Sequence, residues 1–328
     1  MNHTVQPTIK KLSDSTKIIV AADESPVSMG KRFESIGIEN TFDNRLKWRK
    51  IILGTSGFGQ YASGVILHPE MIEDVEILAS LERAGVVLIV KIDNSLAPFN
   101  NSDSEKITLY ASDVEQQLRH YHELGAGATK FRSVFNVGKH LPTAECIEAN
   151  AKVQAHLAKC TQQAGLVPIV EPEVLALEGS HTFHQSKQVT SMVLTTVFEQ
   201  LKTLGVHLST MLLKPNMVVP GKNSHESVTP QQVAQATLEC LEVVPDEVCG
   251  INFLSGGLRD EKAEVYLNAI CRLAASLGKP PKYSASFGRG VLAKPLGVWA
   301  GHDANIKAVQ EAFLDRVKRC SLARQGKL

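Results

Sequence analysis

The strongest constraint in this chain is an alternation. Short apolar, β-branched runs fall at residues 18–23, 64–68, 86–93, 129–136, 166–174, 211–218, 250–255 and 283–289, and helix-like stretches lie between them. One such stretch opens at Thr143, one at Thr229-Pro230 and one at Asp260; a Thr N-cap followed by a first-turn proline is a helix start signal. Strands that alternate with helices give a parallel sheet. Eight is the number that closes a (β/α)8 TIM barrel, and an α/β barrel uses a chain of 328 residues as one domain. The competitor is an open, doubly wound sheet. Its dinucleotide-binding form has no support, because no G-x-G-x-x-G follows the first run. The expectation is a single barrel domain over 1–328, with residues 1–16 as an N-terminal extension.

A barrel of this type places its active site at the C-terminal ends of the strands. There the runs break their own pattern. The first ends in Asp23-Glu24-Ser25, the third carries Lys91 and Asp93, the fourth Lys130 and Arg132, the fifth Glu171 and Glu173, and the sixth Lys214 and Asn216. The seventh leads into Ser255-Gly256-Gly257 and the eighth into Ser286-Phe287-Gly288-Arg289. Residues two apart share one strand face, so these groups would surround one cavity. Singly, each has a bland explanation as a strand end or a turn. Repeated at the same end of successive buried strands, they mark a site.

Lys214 is the most telling of them. Burial disfavours its ammonium form, and a neutral amine is what attacks a carbonyl to form a Schiff base. Lys130 nearby would add like-charge repulsion. Glu171, Glu173 and Asp23 offer carboxylates for the accompanying proton transfers. The glycine-rich turns after the last two runs, with Arg289, suit a phosphate. Ser25, Ser28, Lys31 and Arg32 form a second anion-friendly patch. A ketose with a phosphate at each end would span the two.

Composition narrows the partners. Thirty-five basic against 34 acidic residues leave a net charge of +1, which argues against nucleic acid or an anionic membrane. No apolar run approaches a membrane span, and the first residues lack the apolar core of a signal peptide. The six cysteines form no C-x-x-C pair and read as buried thiols in a reducing cytoplasm. His68 and the pair His181 and His184 are the only histidines near metal-ligand positions, and neither has convincing spacing. The expectation is therefore no metal and no cofactor.

On these residues the chain resembles the class I, Schiff-base fructose-bisphosphate aldolases. The resemblance runs from about residue 17 to 327. It is carried by Ala21-Ala22-Asp23-Glu24-Ser25, Val90-Lys91-Ile92-Asp93, Lys130-Phe131-Arg132, Glu171-Pro172-Glu173, Leu213-Lys214-Pro215-Asn216, Leu254-Ser255-Gly256-Gly257 and Ser286-Phe287-Gly288-Arg289. The resemblance implies that Lys214 is the Schiff-base nucleophile and Glu171 its acid/base, supported by Glu173 and Lys130. Asp23 would act at the C4 hydroxyl. Ser255, Gly256 and Arg289 would hold one phosphate, and Ser25, Ser28 and Lys91 the other. Arg132, Ser286 and Gly288 complete the substrate-binding set. A cytoplasmic, glycolytic homotetramer acting on small sugar phosphates is implied. The chain also departs from the family pattern. Pro26 and Val27 separate the two serines, Phe131 and Phe287 replace a Trp and a Tyr, and Leu292 stands where Gln is frequent. The family's C-terminal tail ends in a tyrosine that helps protonate the enamine, whereas the last tyrosine here is Tyr283. Slow enamine protonation is the corresponding expectation. Another Schiff-base aldolase or a transaldolase, and a non-catalytic sugar-phosphate-binding paralogue, are the alternatives.

Overall fold

The computed structural model describes residues 5–177, 179–258 and 260–328. Eight parallel strands close into a barrel, all hydrogen-bonded to their neighbours. They are β1 (Ile18–Ala22), β2 (Ala62–Leu67), β3 (Val87–Lys91), β6 (Ala128–Phe135), β7 (Val167–Val174), β8 (Leu212–Leu213), β9 (Gly250–Phe253) and β10 (Tyr283–Phe287). The order around the barrel is the chain order, with β1 closing onto β10. This is the (β/α)8 TIM barrel that the alternation predicts, and each apolar run supplies one of its strands.

Between the strands lie α2 (Pro26–Glu34), α3 (Phe42–Leu53), α4 (Val75–Ala84), α5 (Val114–Glu123), α6 (Ala144–Gln163), α7 (Phe183–Thr203), α8 (Pro230–Cys240), α9 (Asp260–Ser276), α10 (Arg289–Trp299) and α11 (Ile306–Arg324). Their starts follow local chemistry. Thr143 Oγ1 accepts from the Cys146 N–H, and Thr182 and Thr229 form capping boxes with Gln185 and Gln232. Gly85 ends α4 at φ +66°, a conformation a side chain would strain.

Two apolar layers follow from the strand period of two. Outward residues such as Val20, Val90, Val170 and Phe253 pack under the helices. Inward residues such as Ile19, Ile66, Ile89, Ile169 and Leu212 fill the barrel. The inner layer is closed by a short helix that the periodic pattern did not reveal. In the N-terminal extension, α1 (Gln6–Leu12) places Val5, Ile9 and Leu12 among the inward side chains. Gly64 makes the room: a Cβ there would lie 2.9 Å from Leu12 Cδ2 and 2.8 Å from Ile89 Cδ1. One end of the barrel is thus plugged, and chemistry is left the other.

The third and sixth runs differ from expectation in extent. β3 stops at Lys91, and Asp93 begins an antiparallel hairpin of β4 (Asp93–Pro98) and β5 (Lys106–Tyr110). Thr108 anchors it, donating from its hydroxyl to the Arg132 carbonyl at 2.9 Å. β8 is only two residues long because Pro215 has no N–H to continue the ladder. Pairing is kept up locally, by Lys214 N–H to the Val170 carbonyl at 2.8 Å and Leu254 N–H to the Pro215 carbonyl at 3.0 Å. Four of the cysteines are buried as expected, but Cys249 and Cys271 are partly exposed.

Because Leu12 is 1% exposed inside a closed layer, Leu12→Ala leaves a cavity that the barrel cannot collapse into. It is expected to cost about 2–5 kcal/mol in urea unfolding. A loss well under 1 kcal/mol would show that α1 does not plug the barrel.

Candidate active site

The open end of the barrel is a cavity of about 690 Å³. Every residue given a catalytic or phosphate-binding role in the sequence lines it: Asp23, Ser25, Ser28, Lys31, Arg32, Lys91, Lys130, Arg132, Glu171, Glu173, Lys214, Ser255, Gly256, Ser286, Gly288 and Arg289. Asn216, expected to face the cavity, does not line it: its side chain accepts from the Val174 N–H and donates to Thr190 Oγ1, both at 3.1 Å. Register explains the convergence. Arg132 pairs with Glu171 across β6 and β7, and Lys214 follows directly after the Val170–Leu213 pair. Inward-facing polar residues are thereby set side by side at one height.

At the centre stands Glu171, 4% exposed. One oxygen lies 3.0 Å from Lys214 Nζ and the other 3.2 Å from Lys130 Nζ. The Glu171 carboxyl group therefore lies between the two lysine nitrogens, which the sequence reading places beside each other. Lys130 also meets Asp23 at 2.7 Å and Asp93 at 3.5 Å. Burial alone would lower the Lys130 pKa, but Asp23, Asp93 and Glu171 outweigh it and raise it above the usual lysine range. Burial alone would raise the Asp23 carboxyl, yet Lys130, Lys214 and Lys91 hold it well below the usual range. At neutral pH both are ionised.

The remaining candidates divide into two patches of the cavity rim, one after β1 and one after the neighbouring strands β9 and β10. On one, Ser25 caps α2 and its hydroxyl accepts from the Ser28 N–H at 3.3 Å. Pro26 occupies the first helical turn, where a missing N–H leaves nothing unsatisfied, so the helix N-terminus still faces the cavity. Lys31 is exposed at this rim. Arg32 pairs with Glu24, and Glu24 also binds the buried Arg49 at 2.7 Å. On the other, Gly256 and Gly257 take left-handed φ values of +55° and +80°, turning their backbone into the cavity. Ser286 is buried, and its hydroxyl has no partner among the described residues. Gly288 permits close approach of α10 to β1, since a Cβ there would stand 3.1 Å from the Ala21 carbonyl oxygen. Burial, then the charge of Arg32, lowers the Arg289 pKa, so cations crowd this rim.

Glu173 does not reach Lys214 or Lys130 in an ion pair but binds Arg132. Two charged residues noted at the strand ends, Asp93 and Glu24, were given no role in the sequence and prove to organise the site. Asp93 holds Lys91 at 2.8 Å and accepts from the Arg132 backbone N–H at 3.1 Å. Its signal was its spacing two residues beyond Lys91. Glu24 had a weaker signal, since its role depends on Arg49 from α3. The histidines lie elsewhere. His68 sits beside Glu70, His181 is buried, and His184 lines outer grooves between helices. Those grooves are larger, at about 1000 and 940 Å³, but gather no comparable set of buried charges.

The fold and site together are a closed barrel with a buried lysine–carboxylate cluster and glycine-rich turns at the strand ends, an arrangement suited to a lyase. The comparisons agree. The family profile "Fructose-bisphosphate aldolase class-I" matches residues 4–328. Fructose-bisphosphate aldolase of Drosophila melanogaster is 38% identical over 325 residues, covering 97% of this chain and 89% of the relative. Fructose-bisphosphate aldolase B of Ovis aries is 38% identical over 326 residues with the same coverage. A solved structure of fructose-bisphosphate aldolase from Plasmodium falciparum superposes with a TM-score of 0.94 at 36% identity, over 99% of this chain and 94% of that one. The chain belongs to the class I fructose-bisphosphate aldolase family, whose members are carbon–carbon lyases.

The depressed Asp23 pKa has a consequence for stability. A carboxylate with a folded pKa below its unfolded value of about 3.9 contributes stability above that pH, and the contribution is lost as pH falls toward the folded pKa. Asp23→Asn is therefore expected to flatten the fall of Tm with pH below about pH 4. An unchanged acid limb would mean that Asp23 is not held by Lys130.

Proposed function

We propose that this enzyme cleaves fructose 1,6-bisphosphate reversibly to dihydroxyacetone phosphate and glyceraldehyde 3-phosphate, through a Schiff base on Lys214. The observation that carries this reading is Lys214 itself. Its side chain is 4% exposed, it ends 3.0 Å from Glu171, and it opens on a cavity with anion-binding turns in both patches of its rim.

Glu171 is placed to take the ammonium proton and free the amine. Lys214 Nζ then bonds to the C2 carbonyl carbon; the oxygen takes one proton from that nitrogen and the one held by Glu171 and leaves as water, giving the iminium. The resulting iminium draws the electrons of the C3–C4 bond. Asp23, kept anionic by its lysines, accepts the C4 hydroxyl proton as that bond breaks and the aldehyde departs. The enamine left on Lys214 takes a proton at C3, and water hydrolyses the iminium to release the ketone product. Lys130 keeps Asp23 in its charged form and orients both Asp23 and Glu171. Ser255, Gly256, Ser286, Gly288 and Arg289 receive one phosphate, and Ser25, Ser28, Lys31, Arg32 and Lys91 the other. Arg132, oriented by Glu173, faces the sugar between them. The same reading places the enzyme in glycolysis and gluconeogenesis in the cytoplasm, as a single-domain protomer of a homotetramer. Among the described residues no helix is long and apolar enough to cross a membrane.

Borohydride added with dihydroxyacetone phosphate is expected to leave a covalent adduct on Lys214, located by mass spectrometry. Lys214→Arg should abolish it, because arginine cannot present a neutral amine. An adduct on another lysine, or none, would refute the mechanism. With the lysine supplying the electron sink, cleavage should also survive exhaustive dialysis against EDTA. A rate that collapses and returns with zinc would assign the chemistry to a metal.

A further inference from the structure

α10 begins at the phosphate-facing rim with Gly288 and Arg289, and little in its own sequence secures its first turn. Gly288 provides no capping side chain. Pro295 within the helix has no N–H, so the Val291 carbonyl lacks its helical donor. Arg289 also feels the charges of Arg32 and Arg132, which repel it, and of Glu173 and Glu24, which attract it, burial and the cations together prevailing. A loose first turn would let Arg289 swing away from them into water.

The turn is gripped from both sides instead. Inside, Gly288 lies against the Ala21 carbonyl, and a Cβ at Gly290 would be 3.3 Å from the Phe287 ring. Outside, Arg316 reaches in from α11. Its Nε and Nη2 both donate to the Gly290 carbonyl oxygen, at 3.2 and 2.8 Å. The same Nη2 lies 2.7 Å from Glu264 Oε1 on α9. Arg316 is 2% exposed and Glu264 is fully buried. A buried ion pair of this kind is seldom more stable than apolar residues filling the same space. What apolar residues cannot supply is a directed hold on a carbonyl one residue from Arg289.

We propose that Arg316 is a positioning residue for the phosphate site: its guanidinium, oriented by Glu264, fixes the first turn of α10 through the Gly290 carbonyl and so aims Arg289 into the cavity. This rests on the reading of Arg289 as a phosphate ligand.

The test compares Arg316→Lys, the double variant Glu264→Leu/Arg316→Met, and Arg289→Ala, each by steady-state cleavage of fructose 1,6-bisphosphate and by thermal unfolding. The double variant removes the Arg316–Glu264 pair, and Arg319, the other partner of Glu264 at 3.1 Å, is 41% exposed and can turn to water, so no buried charge is stranded and Tm should stay close to that of the parent. Its KM should nevertheless rise by about tenfold, the weight of one hydrogen bond to a charged group, with kcat changed far less. Arg316→Lys keeps the charge beside Glu264 but loses the planar two-donor grip, and should raise KM by a smaller factor. Arg289→Ala should raise KM at least as much as the double variant. If Arg289→Ala raises KM while the double variant and Arg316→Lys leave it unchanged, Arg316 is only structural and the inference fails. If Arg289→Ala itself leaves KM unchanged, the phosphate-ligand reading fails first. Should the double variant not fold, Arg316→Lys decides: a raised KM at normal Tm supports the inference, and an unchanged KM overturns it.

Discussion

Glu171 is the hinge on which the site turns. Its two oxygens are shared between Lys214 and Lys130, and Lys130 passes the connection on to Asp23 and Asp93. Buried charges persist only when paired, because desolvating an isolated ion is far too costly. A lysine on β6 and one just after β8, with carboxylates on β7, after β1 and at the start of β4, therefore stabilise one another as a set. Removing one leaves a buried charge on a neighbouring strand without its partner. The barrel makes this arrangement possible: it closes the strands in register, and at their C-terminal ends the apolar inner layer gives way to inward polar side chains.

Beyond this centre, the cations of the rim also come with carboxylates attached. Arg32 has Glu24, Arg132 has Glu173, and Lys91 has Asp93. These pairs keep strongly basic groups oriented by internal acids. Arg289 stands apart in this respect. Its crowding by Arg32 and Arg132 raises the demand for an anion, and the Arg316–Gly290 contact supplies from the backbone side the orientation that a carboxylate supplies elsewhere. Preorganised charge of this sort loses little ordering entropy when the ligand binds.

Much of this was legible in the chain. The eight runs, the Thr143 and Thr229 helix starts, and charges at strand ends are local patterns. Local patterns survive in sequence because propensity, capping and the two-residue strand period act over a few residues. The α1 plug and the β4–β5 hairpin were not legible. The first is seven residues whose apolar face has meaning only against the barrel floor, and the second lies in residues 94–113, which follow no barrel repeat.

The sequence by itself determined that this is a barrel with a buried lysine among carboxylates and glycine-rich anion turns, since periodicity and residue chemistry are written position by position. Only the tertiary structure decided who holds whom. Glu171 intervenes between Lys214 and Lys130, Glu173 goes to Arg132 instead of the lysines, and Glu24 is secured by Arg49. Arg316, far along the chain, steadies the turn that bears Arg289. The reason is physical. An ion pair acts over a few ångströms, and which groups fall within that range is fixed by strand register and helix packing, which join residues tens to hundreds of positions apart.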